Sequence, residues 1–214
     1  MHRRLAPEIL DTLPPHHPDA VHNRRDLRVI NRLLGHHRWF VRTLPRLLHP
    51  GERALELGAG EGELGLRLAR RGISVSGLDL WQRPKNWPAH GTWHAANLRT
   101  FDGYAQYPAV FGNLIFHQFS PPELADLGKQ LRQTTRVIVA CEPARRWRSQ
   151  FLFRALAPAL GFNYVTLHDA HVSIAAGFRG AELPVALGLD PGDWNVRCSA
   201  NLFGAYRMVA IRRK

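Results

Sequence analysis

Cysteine is almost missing: Cys141 and Cys198 are the only two in 214 residues. Two thiols build no disulfide framework, and no Cys-x-x-Cys pair offers zinc ligands. A reducing compartment is therefore expected. No run reaches the roughly 18 apolar residues that a spanning helix needs. The opening MHRRLAPEILDTLPPHHPDA carries basic residues without an apolar stretch of signal-peptide length. These absences predict a cytoplasmic chain with no membrane span. They leave the oligomeric state open. Lysine is scarce as well, so the formal charge of +12 rests mostly on arginine.

The hydrophobic fraction is 45 %, enough for one good core. The charge has two readings. A basic chain can bind nucleic acid. Alternatively, arginine is simply the preferred surface cation of a composition rich in Gly and Pro. The basic residues are scattered (Arg24, Arg28, Arg70, Arg146, Arg213), which favours the second reading.

Leu27, Ile30, Leu34, Val41, Leu44 and Leu48 recur at helical spacing, with Gly35 and Pro45 dividing them into two short helices. Strands are predicted at ALEL, ISVSGLDL, TWHAANL, AVFGNLIF and RVIVACE. Helices are predicted after the glycine turn, over SPPELADLGKQL and from Arg146 to Leu160. NYVTLHD reads as a strand and AELPVAL as a short helix. NVRCSAN and AYRMVAIRR close the chain as two strands. Alternating strands and helices predict an α/β fold: a Rossmann-like, doubly wound, mostly parallel sheet of about seven strands with an antiparallel C-terminal strand. Residues 1–49 form an N-terminal helical lid within the same domain as residues 50–214. Ligands of such sheets sit beyond the carboxyl ends of the strands.

LELGAGEG puts Gly58, Ala59, Gly60 and Gly62 in the turn after the first strand, where glycine permits a sharp bend and a close ligand. Asp79 ends the second strand and suits two ribose hydroxyls. A nicotinamide site would want its third glycine at position 63, which is Glu63. Glu56 is a poor neighbour for a pyrophosphate but suits a cationic ligand. S-adenosylmethionine carries both a sulfonium and an ammonium.

With these residues the chain resembles the class I S-adenosylmethionine-dependent methyltransferases, over about residues 50 to 142. LELGAGEG is similar to their first motif and SGLDL, with Asp79 and Leu80, to their second. HAANL resembles the third, so the resemblance implies that Asn97 and Leu98 flank the adenine. A narrower resemblance, through LRVINRLLGHHRWFVRTL, GNLIFHQF and LHDAHVSIAAGFRGAEL, is to small bacterial quinone-biosynthesis-like methyltransferases associated with type III polyketide synthases. It implies S-adenosylmethionine as cofactor, S-adenosylhomocysteine as product, and a small aromatic, polyketide-like or quinone-like acceptor methylated on oxygen or carbon. It also brings Asn113 near the methionine part of the cofactor.

A phenol of pKa about 10 would gain from a neutral imidazole as base, worth roughly 10²–10⁴-fold. His117, at the expected end of the fourth strand, is the first candidate. His168 and Glu142 are the others, with Arg145 beside Glu142 as a possible acceptor contact. Ser120 reads as a helix cap in SPPE, not a nucleophile. Asp169 reads as a cap of a following turn. Trp39 and Phe40 suit a lid over the cofactor. His90 and His94 have no acid between them and read as no metal site. Two alternatives stand beside the small-molecule enzyme. One is an RNA methyltransferase, motivated by charge but without an Asn-Pro-Pro-aromatic run or a Pro-Cys nucleophile after strand four. The other is a non-catalytic S-adenosylmethionine-binding protein, because Pro108 stands where the resembled family usually carries an acid.

Overall fold

The computed structural model describes residues 2–213. Two helices come first, α1 (Pro18–Leu33) and α2 (His36–Thr43). Then follow β1 (Arg53–Leu57), α3 (Glu63–Ala69), β2 (Ser74–Asp79), β3 (Trp93–Ala95), β4 (Ala109–Asn113), α4 (Pro121–Thr134) and β5 (Val137–Pro143). The last third holds α5 (Trp147–Leu156), α6 (Tyr164–Ala176), α7 (Glu182–Ala186), β6 (Trp194–Ala200) and β7 (Ala205–Arg212).

The strands form one seven-stranded sheet in the order β3-β2-β1-β4-β5-β7-β6. β1 to β5 are parallel, and β7 runs antiparallel to both β5 and β6. The expected mixed sheet is thus present. All seven residues of β5 are buried, because helices cover both faces. Alternation sorts the side chains. Leu55, Leu57, Val110, Ile138 and Ala140 face the α4 side with Leu124 and Leu131. Ala54, Phe111, Val137 and Val139 face Phe40, Leu64 and Leu68 of α2 and α3.

Strand order reverses between β1 and β4, so their carboxyl ends diverge and leave a crevice. β4 stops earlier than AVFGNLIF suggests. It ends at Asn113, and Leu114 takes the left-handed conformation at φ 60°, the only non-glycine residue to do so among those described. The Leu114 N–H donates to Cys141 O at 2.9 Å. The chain then turns through a 3-10 helix, Phe116–Gln118, into α4.

The segment NYVTLHD is helical, not a strand. Asn163 caps α6 by accepting from Thr166 N at 2.9 Å, and a β-rich composition yields to that cap and to packing on α1. Buried Asp26 of α1 accepts from Thr166 Oγ1 at 2.7 Å and Asn163 N at 3.1 Å, which ties the two helices together. Gly177 ends α6, and Asp169, expected to cap a following turn, lies within the helix and caps no local turn. It accepts from Ile9 N at 2.7 Å and Leu10 N at 3.1 Å, and so holds the N-terminal segment. Trp39 and Phe40 are packing residues, because α2 lies on the sheet. Phe40 is fully buried against Phe111, and Trp39 lies against Phe40 with Arg207 over its ring.

Ser120 caps α4 with a complete capping box. Its N–H donates to Glu123 Oε2 at 2.7 Å, and its hydroxyl accepts from Glu123 N. Replacing Ser120 by Ala should cost about 1 kcal/mol in denaturant unfolding and leave ligand binding intact. Loss of ligand binding in a folded Ser120→Ala protein would contradict the cap assignment.

Candidate functional site

A cavity of about 680 Å³ opens at the crevice between β1 and β4. Glu56, Gly58, Ala59, Gly60, Asp79 and Leu80 line one side, with Asn97 and Leu98 next to them. Asn113, Leu114 and His117 line the β4 side. α1 roofs it with Leu27, Ile30 and Leu34, while Leu152, Phe153 and Leu156 of α5 close the far wall. The roof is therefore α1 with the N-terminal segment, not the Trp39–Phe40 pair.

The glycine turn divides into two roles. Gly58, Gly60 and Gly62 all have positive φ. A Cβ on Gly60 would meet nothing within 4 Å, so that position leaves room for a ligand. A Cβ on Gly62 would stand 2.7 Å from Trp87 Cε3, and Gly62 does not line the cavity. Gly62 starts α3 against Trp87. Asp79 accepts from Gly60 N at 2.8 Å and from Trp81 N at 2.9 Å, which locks the turn to the end of β2. Asn97 accepts from Arg99 N at 2.9 Å, so its side-chain amide is oriented by its own turn. Arg28 reaches from α1 to Glu61 Oε2 at 2.7 Å and Arg24 to Glu61 Oε1 at 3.3 Å, so ion pairs fasten the roof to the glycine turn.

One wall carries acceptors without donors. Glu56 and Asn113 lie on the same sheet face, at the ends of neighbouring strands. Asn31 Oδ1 accepts from Asn113 Nδ2 at 3.0 Å and from His36 Nδ1 at 3.1 Å. This leaves Asn113 Oδ1 and His36 Nε2 buried with no partner among the described residues, and Glu56 Oε2 likewise. Burial lowers the His36 pKa to about 3, with help from His37 and Arg207, so the ring is neutral and Nε2 is a lone pair. Burial pushes the Glu56 carboxyl well above the usual carboxylate range; the Gly65 amide resists this and the Asp79 charge adds to it. Buried polar groups are nearly always paired, so three orphaned acceptors mark a place for a ligand. Asn31 and His36 carry no motif. Both lie within LRVINRLLGHHRWFVRTL, a stretch that carries the narrower resemblance, but the sequence assigned neither a role.

His117 stands in the 3-10 turn after β4 and is almost fully buried. Its Nδ1 donates to Glu142 Oε2 at 2.6 Å and its Nε2 faces Glu8 Oε1 at 3.4 Å. Ser173 Oγ also donates to Glu8 Oε1. Burial opposes charge on the ring, but the bonds to Glu142 and Glu8 outweigh it and raise the pKa to about 9. A neutral imidazole base was expected; here the ring is an imidazolium with both nitrogens engaged. Glu142 is fully buried and outside the cavity lining. Besides the ring it accepts from Ile115 N and Phe116 N at 3.0 Å and from His117 N at 3.2 Å. It positions the turn and touches no ligand space. Arg145 is buried too; it donates to Gly177 O at 2.8 Å and pairs with Glu182. His168 points away from the cavity. It lies on α6, exposed, with Nδ1 bonded to Asp169 Oδ1 at 3.0 Å. His94 is bonded through Nε2 to the Tyr107 hydroxyl at 2.7 Å.

No protein-family model and no curated protein sequence matches the chain. Solved structures match its fold. The plantazolicin methyltransferase BpumL in complex with SAH superposes with a TM-score of 0.72 at 10 % identity, covering 96 % of this chain and 93 % of that one. A structure concerned with converting a disulfide bond into a thioacetal group during echinomycin biosynthesis gives 0.58 at 18 % identity, covering 82 % and 80 %. The methyltransferase domain of bacterial CtHen1 gives 0.52 at 15 % identity, covering 75 % and 90 %. The fold is the Rossmann-like fold of methyltransferases.

The buried His117 cation links stability to pH. Its folded pKa of about 9 lies above the ordinary 6.5, so its contribution is complete below pH 6.5 and fades as pH rises through 9. The contribution is on the order of 3 kcal/mol. The melting temperature of the native protein should therefore fall between pH 6.5 and 9 more steeply than that of His117→Gln. Parallel pH profiles would contradict the charged state.

Proposed function

We propose that the chain is an S-adenosylmethionine-dependent methyltransferase acting on oxygen or carbon of a small aromatic, polyketide-like or quinone-like acceptor. The observation that carries this reading is the wall of partnerless acceptors, Glu56 Oε2, Asn113 Oδ1 and His36 Nε2. Three buried lone pairs on residues that line the cavity call for a ligand with several N–H donors and a positive charge. The ammonium of the methionyl group has that chemistry. Asp79 would hold the ribose hydroxyls, Asn97 and Leu98 would flank the adenine, and Gly58, Ala59 and Gly60 would allow close approach. When bound, the cofactor supplies an electrophilic methyl group on a sulfonium, with S-adenosylhomocysteine as product. BpumL, which shares the fold, was crystallised with SAH and with desmethylPZN analogues.

The chain's own residues then position and shield. Leu27 and Ile30 of the α1 roof, Leu34 at its C-terminal cap, and Leu152 and Leu156 of α5 give the space an apolar lining that suits an apolar acceptor. His117 serves as a charged donor: an acceptor oxygen that has released its proton to solvent would be held as an anion at Nε2 in place of Glu8, and the anion is the form that attacks the methyl group. Most of the rate enhancement would come from alignment of acceptor and methyl group. The net charge of +12 is the one observation behind an RNA acceptor, and the apolar lining of the cavity favours a small molecule over it.

Calorimetric titration with S-adenosylmethionine should show saturable binding. Asp79→Ala should weaken it about tenfold or more, since hydrogen bonds to a charged group are lost. The Glu56 carboxyl is raised in the free protein, and a bound ammonium favours its ionised form. Binding should then release a proton, strengthen as pH rises, and show a heat that depends on the buffer's ionisation enthalpy. Glu56→Gln should remove that buffer dependence. Absent binding, or unchanged affinity in Asp79→Ala, would contradict the assignment.

A further inference from the structure

Helix α5 is built against ordinary practice for a surface helix. Six of its ten residues are apolar, yet none is buried. Its two faces have different surroundings. Ser149, Leu152, Phe153 and Leu156 line the cavity. Trp147 and Phe151, one turn apart on the opposite face, are 63 % and 69 % exposed and do not line it. The loop before β7, tied to the start of the helix, projects two further exposed apolar side chains, Leu202 and Phe203, 91 % and 65 % exposed. Helix and loop are joined, because Arg146 Nη1 donates to Asn201 O at 3.3 Å and Ala144 N to Gly204 O at 2.7 Å. An isolated exposed leucine needs no explanation, but two exposed aromatics one turn apart, on a helix tied to a loop with two more exposed apolar side chains, mark an interaction surface.

The charges on α5 and at its start are of one sign. Arg146, Arg148 and Arg154 are exposed on the same helix and its start, Arg148 lies over the Trp147 ring at 5.5 Å, and α5 has no acidic residue. We infer that α5 and the 201–204 loop dock the protein on an anionic lipid bilayer, with Trp147, Phe151, Leu202 and Phe203 in the interface and the arginines against the headgroups. Aromatic side chains flanked by arginine are the composition that sits at a bilayer surface. A second copy of the chain fits less well, since a two-fold contact would bring these arginines and two net charges of +12 together. No helix among the described residues is long and apolar enough to cross a membrane, so the contact is interfacial. The inner face of the same helix walls the cavity, and Phe203 belongs to both surfaces. An apolar acceptor dissolved in the bilayer could thus reach the cavity along α5 without crossing water. The docking itself does not depend on methyl transfer.

Vesicle flotation of the full chain tests this. The protein should float with phosphatidylcholine vesicles containing phosphatidylglycerol, and not with phosphatidylcholine alone. Added salt should weaken the association. Arg148→Glu and Arg154→Glu should each lower partitioning about fivefold or more. Phe151→Ser with Leu202→Ser should abolish it while S-adenosylmethionine binding, measured on the same sample, is unchanged and so reports a folded protein. Failure of the native protein to float with anionic vesicles overturns the inference without touching the methyltransferase reading. So does equal flotation of the Phe151→Ser/Leu202→Ser variant. A lipid-free dimer in sedimentation that this variant dissociates would assign the patch to a second copy and overturn it as well.

Discussion

The arrangement at the crevice depends on one buried carboxylate. Glu142 closes β5 with no exposure and accepts three backbone N–H groups and the His117 ring from the turn after β4. A lone carboxylate at that depth would be expensive, so the turn must fold around it to satisfy its lone pairs. That demand accounts for the early end of β4 and for Leu114 in a conformation leucine avoids. It also brings His117 to the edge of the cavity as a cation. Arg3 secures the same turn from outside, donating to His117 O at 3.0 Å and Phe119 O at 2.7 Å.

From this turn the site divides into two electrostatic regions. On the sheet face below α2, neutral His36, Asn113 and a carboxyl pushed toward protonation at Glu56 present lone pairs without a cation. Beyond β4, His117 presents a cation with one carboxylate fixed behind it and a second, Glu8, on a segment without regular structure. One region suits a positively charged ligand, the other an oxygen with anionic character. The apolar faces of α1 and α5 bound the space between them.

The sheet was legible because its signals are local and repeated: short apolar runs in ALEL and AVFGN, glycines in GAGEG, a cap in SPPE. Asp79 and Glu56 could be placed because they end strands whose direction was known. The misses come from long-range contacts. Glu142 and His117 lie 25 residues apart, and nothing in either segment states that the carboxylate would accept from the ring and hold it protonated. NYVTLHD has strand-forming residues, but Asp26 on α1 and the Asn163 cap decide for helix. Asp169 was expected to cap the turn that follows it, but its partners lie 160 and 159 residues away. Glu8, in an irregular N-terminal stretch, gave no periodic signal at all.

The central claim is that the partnerless acceptors at the β1–β4 crevice hold the methionyl ammonium while Asp79 holds the ribose. A crystal structure with S-adenosylhomocysteine tests it directly. The account predicts the amino group within hydrogen-bond distance of Glu56, Asn113 or His36 and both ribose hydroxyls on Asp79. A ligand bound elsewhere, or reversed so that the adenine rests against Glu56 and His36, would contradict it.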